Sequence, residues 1–169
     1  MKYAVALCNA ITDKLCGLDP DHADTYRANN TAYCEKLSAL DKRFADFVAT
    51  AKVDTIVVAD RFPFMYLCED YGLSYFAAFS GCSAESEASF QTVVDLAGKV
   101  DELGLKCIFQ TENPLADIAM TVVQTTEKKN QKILVLDSMQ AVTAARAEVE
   151  NYCSVMEENI NTLIEGLEG

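Results

Sequence analysis

Thr55-Ile56-Val57-Val58-Ala59-Asp60-Arg61-Phe62-Pro63-Phe64-Met65-Tyr66-Leu67, followed by Tyr71-Gly72-Leu73, is the stretch that decides the fold. The β-branched run at 55–59 reads as a buried strand. The charged pair Asp60-Arg61 therefore falls at its carboxyl end. In open α/β sheets that edge is where ligands bind. The aromatic-rich continuation over 64–70 reads as a short helix stopped by Gly72.

Downstream the alternation repeats. Strands are predicted at 74–79, 106–110 and 132–136. Between them fall helices at 85–103, with Phe90, Val93, Val94, Leu96, Ala97 and Val100 on the buried side, and at 115–128, opened by Asn113-Pro114. A closing helix is predicted over 148–167. Upstream, the apolar spacing of Val5, Cys8, Ile11 and Leu15 predicts a helix over 4–18. A longer one follows over 23–51, striped by Tyr26, Tyr33, Leu37, Leu40, Phe44, Phe47 and Val48. Strands alternating with helices imply a parallel sheet. The expected class is α/β: a three-layer sandwich with a four-stranded parallel sheet, preceded by a long backbone helix. Residues 1–52 form the helical linker segment and 53–169 the α/β lobe.

Composition narrows the function. The 169 residues carry 26 acidic and 14 basic side chains, a net charge of −12. That balance disfavours nucleic acid and anionic membrane surfaces and suits a cation binder or a plain solvated surface. No apolar run is long enough to span a bilayer. Met1-Lys2-Tyr3 leads directly into a helical pattern, without a signal-type segment. The seven cysteines, at 8, 16, 34, 68, 82, 107 and 153, have no CxxC or zinc-finger spacing. Cys8, Cys16, Cys34 and Cys107 lie in apolar faces and read as reduced core thiols.

Four connections leave the strand ends. They carry Asp60-Arg61, then the loop from Ser80 to Glu87 with Cys82, then Thr111-Glu112-Asn113, then Asp137-Ser138-Met139. Ser83 and Glu85 read first as helix-start residues. Asp137 ends an apolar run well before the next helix, near Ala144, so its carboxylate requires a partner: a cation, an arginine or backbone donors. Arg61 is the obvious protein partner, with Glu112 as its other candidate. The single histidine, His22, reads as an exposed helix-start residue far from these edges. With one histidine, no His-rich metal constellation can be assembled within the chain, and a Ser-His-Asp device meets the same shortage. No GxGxxG or GxxxxGK[ST] motif is present.

Several of these stretches together resemble the zinc/manganese ABC-transporter substrate-binding proteins. Leu18-Asp19-Pro20 through Asn29, with Tyr33, Leu37 and Leu40, is similar to their backbone helix. Phe62 to Leu67 with Tyr71-Gly72-Leu73 is similar to their aromatic-rich motif. Gly81 to Ser89, with Ala88 where proline is common, is similar to their Glu-Pro-Ser-type loop. Ile108-Phe109 with Glu112, Leu136 to Met139, and Tyr152, Met156, Asn159 and Leu163 match in order. The resemblance implies the carboxyl-terminal lobe with its linker helix, the amino-terminal lobe being absent.

It also implies a metal, zinc first and manganese second, held in a cleft of which this chain supplies half. Asp137 stands where the family places an acid ligand. Arg61 stands where the family has His or Glu, and a guanidinium cannot ligate. Asp60 and Cys82 are the candidate substitutes, and Arg61, Glu112 and Glu87 line the cleft. Binding by the isolated lobe is expected to be weak or absent. The implied partners are a membrane permease, the missing lobe and no nucleic acid, and the stripe on the long helix is a candidate homodimer surface. The implied location is extracytoplasmic, and no enzyme activity is expected. The alternative reading is a stand-alone interaction or regulatory α/β domain, or an enzyme using Cys82 or Asp137.

Overall fold

The computed structural model describes residues 1–81, 88–114 and 117–168. The chain divides into two compact units, Met1–Asp46 and Phe47–Gly169. The first contains α1 (Lys2–Leu18), a 3-10 turn (Pro20–His22) and most of α2 (Ala23–Val48). Its corner is tied by Asp19. That carboxylate accepts from Tyr26 Oη at 2.7 Å and contacts His22 Nδ1 at 2.9 Å, and these bonds, His22 first, hold its pKa below the usual carboxylate value. Asn30 Nδ2 donates to Asn9 Oδ1 at 2.7 Å, joining α2 to α1.

The second unit is the α/β lobe. It contains β1 (Thr55–Val58), α3 (Met65–Tyr71), β2 (Ser74–Ala77), α4 (Phe90–Glu102), β3 (Cys107–Thr111), α5 (Ile118–Thr125), β4 (Lys132–Leu136), α6 (Ala144–Val149) and α7 (Tyr152–Glu168). The four strands form one sheet in the order β2-β1-β3-β4, every pair parallel. Helices cover both faces, giving the expected sandwich. Alternate strand residues divide between the two faces. Val57, Ala59 and Ile108 pack with Val93, Leu96, Val100, Val122 and other residues of α4 and α5. On the opposite face α7 settles closely. A Cβ added at Gly166 would lie 2.6 Å from Phe109 Cζ and 2.7 Å from Cys107 Sγ. Burial pushes the Cys68 and Cys107 thiols up to about 12, as expected for small hydrophobic core groups. Cys8, Cys16 and Cys34 are half-buried.

The largest departures from the sequence reading fall in three helices. Helix α4 starts at Phe90 because Ser89 Oγ caps it, accepting from Thr92 N at 3.0 Å. Ser83 and Glu85 lie outside the described residues. Helix α5 starts at Ile118, so Pro114 precedes the helix rather than opening it. The single closing helix is two. Asn151 breaks it, its N–H donating to Ser154 Oγ at 2.9 Å while its Oδ1 accepts from Ser154 N at 3.2 Å. This reciprocal bond starts α7 afresh.

Candidate functional site

The order β2-β1-β3-β4 places a topological switch between β1 and β3, where adjacent connections leave in opposite directions. Asp60 sits there, at the end of β1, fully buried. Its Oδ1 accepts from Arg61 N at 2.8 Å. Its Oδ2 accepts from Thr111 N at 3.2 Å and also from the Thr111 hydroxyl at the end of β3. The crevice is thus stitched shut between the two strand ends. A buried carboxylate with three donors is satisfied without a cation. Its hydrogen bonds run to the interior, which leaves this candidate ligand no oxygen facing solvent.

Arg61 does not pair with Glu112 or Asp137. Its Nη2 donates to the Asn113 carbonyl at 3.1 Å, and its Nε lies 4.0 Å from Asp60 Oδ1 with no hydrogen-bond partner. The guanidinium therefore bridges the β1 and β3 connections beside Asp60. Glu112 turns to the β4 connection instead. Its Oε2 accepts from Ser138 N at 2.8 Å. Its Oε1 accepts from Ser138 Oγ at 2.9 Å, Gln140 N at 3.1 Å and Ala141 N at 3.2 Å. One carboxylate thus organises the whole loop after β4.

That loop presents Asp137. Its main chain is anchored from below by Asn159, a buried polar residue within the apolar stripe of α7. Asp137 N donates to Asn159 Oδ1, and Asn159 Nδ2 donates to the Asp137 carbonyl, both at 2.8 Å. The side chain is 14% exposed. Oδ1 accepts from Met139 N at 2.7 Å, a tight turn in which Met139 takes φ +59°. Oδ2 accepts from Arg146 Nη2 at 2.6 Å. The arginine partner that the sequence required for Asp137 is therefore Arg146, not Arg61. Arg146 also donates from Nε to Glu150 Oε2 at 2.8 Å, and Glu150 first, then Asp137, raise its pKa.

Sequence reasoning missed Arg146 altogether; it named Thr111 and Asn159 without their roles as the partners of Asp60 and of the Asp137 main chain. Cys82 and Glu87 lie outside the described residues. Among those described, no three His, Cys, Asp or Glu side chains are grouped closely enough to hold a metal ion. A hollow of about 710 Å³ between β2 and α4 is lined by Phe76, Val94, Lys99 and Glu102 and carries none of these strand-end groups. Among the described residues, what the edge offers chemically is the partly accessible carboxylate of Asp137 on a fixed main chain, with Glu112 and Glu150 engaged beside it.

The family model described as zinc-uptake complex component A, periplasmic, matches residues 1–166. The chain is 34% identical over 161 residues to the zinc-binding lipoprotein AdcA of Streptococcus pneumoniae, which covers 95% of this chain and 31% of that protein. It is 30% identical over 171 residues to the manganese-binding lipoprotein MntA of Halalkalibacterium halodurans, covering 99% and 53%. The solved Zn(II)-bound ZnuA-like domain of Streptococcus pneumoniae AdcA superposes with a TM-score of 0.76 at 30% identity, covering 98% of this chain and 61% of that one. The chain thus spans about a third of AdcA and about half of MntA. No described helix is long and apolar enough to cross a membrane. The chain belongs to the zinc-uptake complex component A family, and it matches the carboxyl-terminal lobe of a zinc-binding substrate-binding protein.

Proposed function

We propose that this chain supplies one half of the metal cleft of an extracytoplasmic receptor that captures zinc, with manganese second, and hands it to the permease of an ABC transporter. Asp137 is its metal ligand. The other half of the cleft belongs to an amino-terminal lobe, and closure of two lobes around the ion performs capture and release without catalysis. The observation that carries the reading is the placement of Asp137. It is a carboxylate at the carboxyl end of β4, with its main chain fixed by Asn159 and its side chain reachable from solvent. A hard or borderline divalent cation suits such an oxygen donor. The family match over residues 1–166 supports the choice of cargo.

A lobe with one such ligand holds zinc weakly. Calorimetric titration of the reduced chain with zinc tests this. The expected result is weak one-to-one binding that disappears in Asp137→Ala. Affinity indifferent to Asp137→Ala would remove the assignment. Tight binding lost in Cys82→Ser would move the site to the thiolate, for which zinc has a strong preference.

A further inference from the structure

Four hydrogen bonds hold Asp137; one is the local turn from Met139 N to its Oδ1, and the others separate cleanly. Its backbone N–H and carbonyl belong to Asn159. The loop that follows it belongs to Glu112, through Ser138, Gln140 and Ala141. Only the carboxylate oxygen Oδ2 belongs to Arg146. Arg146 is therefore not needed to place the residue; it occupies the atom. Arg146 is also held a second time, by Glu150, through Nε at 2.8 Å and through Nη2. A guanidinium that loses Asp137 thus keeps a carboxylate partner one helical turn away.

We propose that Arg146 is a built-in competitor for the metal: it neutralises Asp137 in the empty lobe, and a divalent cation takes the carboxylate by displacing the guanidinium onto Glu150 alone. This rests on Asp137 being the ligand, as argued above. The device is electrostatic. Asp137 without a partner would be a partly buried charge at a strand end, which is costly. Arginine stays protonated across the physiological range, so its hold does not depend on pH. A doubly charged ion competes with it on Coulomb terms, by twice the charge at a given distance. Glu150 lowers the barrier to exchange by retaining the displaced cation. The pair Asp137–Arg146 is 14% and 29% exposed, so water reaches it and the exchange does not require the core to open.

The test is zinc binding by this chain, read by competition with a chelator dye, for the parent, Arg146→Ala, Arg146→Gln, Glu150→Gln and Asp137→Asn. Arg146→Gln keeps the helical length of α6 should Arg146→Ala unfold it, and circular dichroism checks both. Removing the competitor is expected to tighten zinc binding by roughly two- to tenfold, the span set by partly exposed ion pairs. Glu150→Gln is expected to weaken it, because the guanidinium then has Asp137 alone. In an Asp137→Asn background, Arg146→Ala should change nothing, which separates competition at that oxygen from a general change in charge. The Arg146 Nε resonance should persist on zinc addition in the parent, since its bond to Glu150 remains. Arg146 variants that bind zinc no better than the parent overturn the proposal. Affinity indifferent to Asp137→Asn overturns instead the ligand assignment on which it rests.

Discussion

Asp60 and Asp137 are the same residue type, just past the carboxyl ends of two strands of one parallel sheet, and the molecule treats them in opposite ways. Asp60 lies where β1 and β3 diverge, fully buried, with a backbone donor on each oxygen and the Thr111 hydroxyl on one of them. Asp137 lies past the outer strand β4, partly exposed, with one oxygen held by a side chain, that of Arg146. Position in the strand order sets the difference. A central strand end is roofed by its neighbour's connection, so a charge there must be satisfied permanently by fixed donors. An outer strand end has a neighbour on one side only, so its charge can be satisfied by something that leaves. The teaching is that a topological switch point marks where a ligand could sit, while the donor set decides whether the place is already filled.

The largest expected effect tests the closed end. Asp60→Ala removes the acceptor for three donors and leaves Thr111 and Arg61 unsatisfied in the interior. A loss of about 3–5 kcal/mol is expected, the scale for breaking a buried charged network. Urea unfolding of the two alanine variants side by side measures it. If Asp60→Ala costs no more than Asp137→Ala, the contrast between the two ends is wrong.

Asn159→Ala sharpens the comparison from below. It deletes both bonds to the Asp137 main chain and opens a hole in the α7 stripe. About 2–4 kcal/mol is expected, from two partly buried backbone groups left without partners and the hole left where the buried Asn159 side chain stood. It should also impair any zinc binding that depends on Asp137, since the carboxylate loses its platform. Preserved affinity with lowered stability would mean that Glu112 alone positions the loop.

The strands of the sheet and the acid at the end of β4 were legible in the sequence because apolar runs and the residue that ends them are local features. Thr55 to Val58 and Lys132 to Leu136 announce themselves by side-chain type alone. The break at Asn151 was not legible, because Tyr152, Val155 and Met156 continue the apolar stripe of Val149 without interruption. The reciprocal Asn151–Ser154 bond that restarts the helix leaves no hydropathic trace. The partners across the edge were illegible for a different reason. Arg61 was the nearer guess for Asp137 because both follow strands. The real partner, Arg146, comes from a six-residue helix on the same connection, nine residues on. Pairing at an edge depends on how each connection bends after its strand, and for β4 that bend is set by Glu112 of the neighbouring connection.

Thr143→Ala probes that bend with a smaller perturbation. Thr143 Oγ1 accepts from Arg146 N at 3.3 Å as the N-cap of α6, the short helix that carries Arg146. About 1 kcal/mol of stability is expected to go with the cap. The informative readout is the Arg146 Nε resonance. Loss of its protection from exchange would show that the cap aims the guanidinium. A stability loss with that resonance unchanged would mean that Asp137 and Glu150 suffice to hold it.

Asp137→Ala should be the mildest of these substitutions for the fold. The deleted carboxylate gives up one loop N–H, which water can replace at a partly exposed site, and one solvent-accessible ion pair of the kind that contributes little. Against this stands relief: the acidic surface loses one negative charge, while Arg146 keeps Glu150. Stability should fall by about 1 kcal/mol or less, measured by the urea midpoint at unchanged slope. A fall near that of Asp60→Ala would mean that the open end is as deeply built into the fold as the closed one. A carboxylate so bound could not release its arginine to an arriving ion. A small cost is therefore what a ligand position requires: the residue must be held firmly by its main chain and lightly by its side chain.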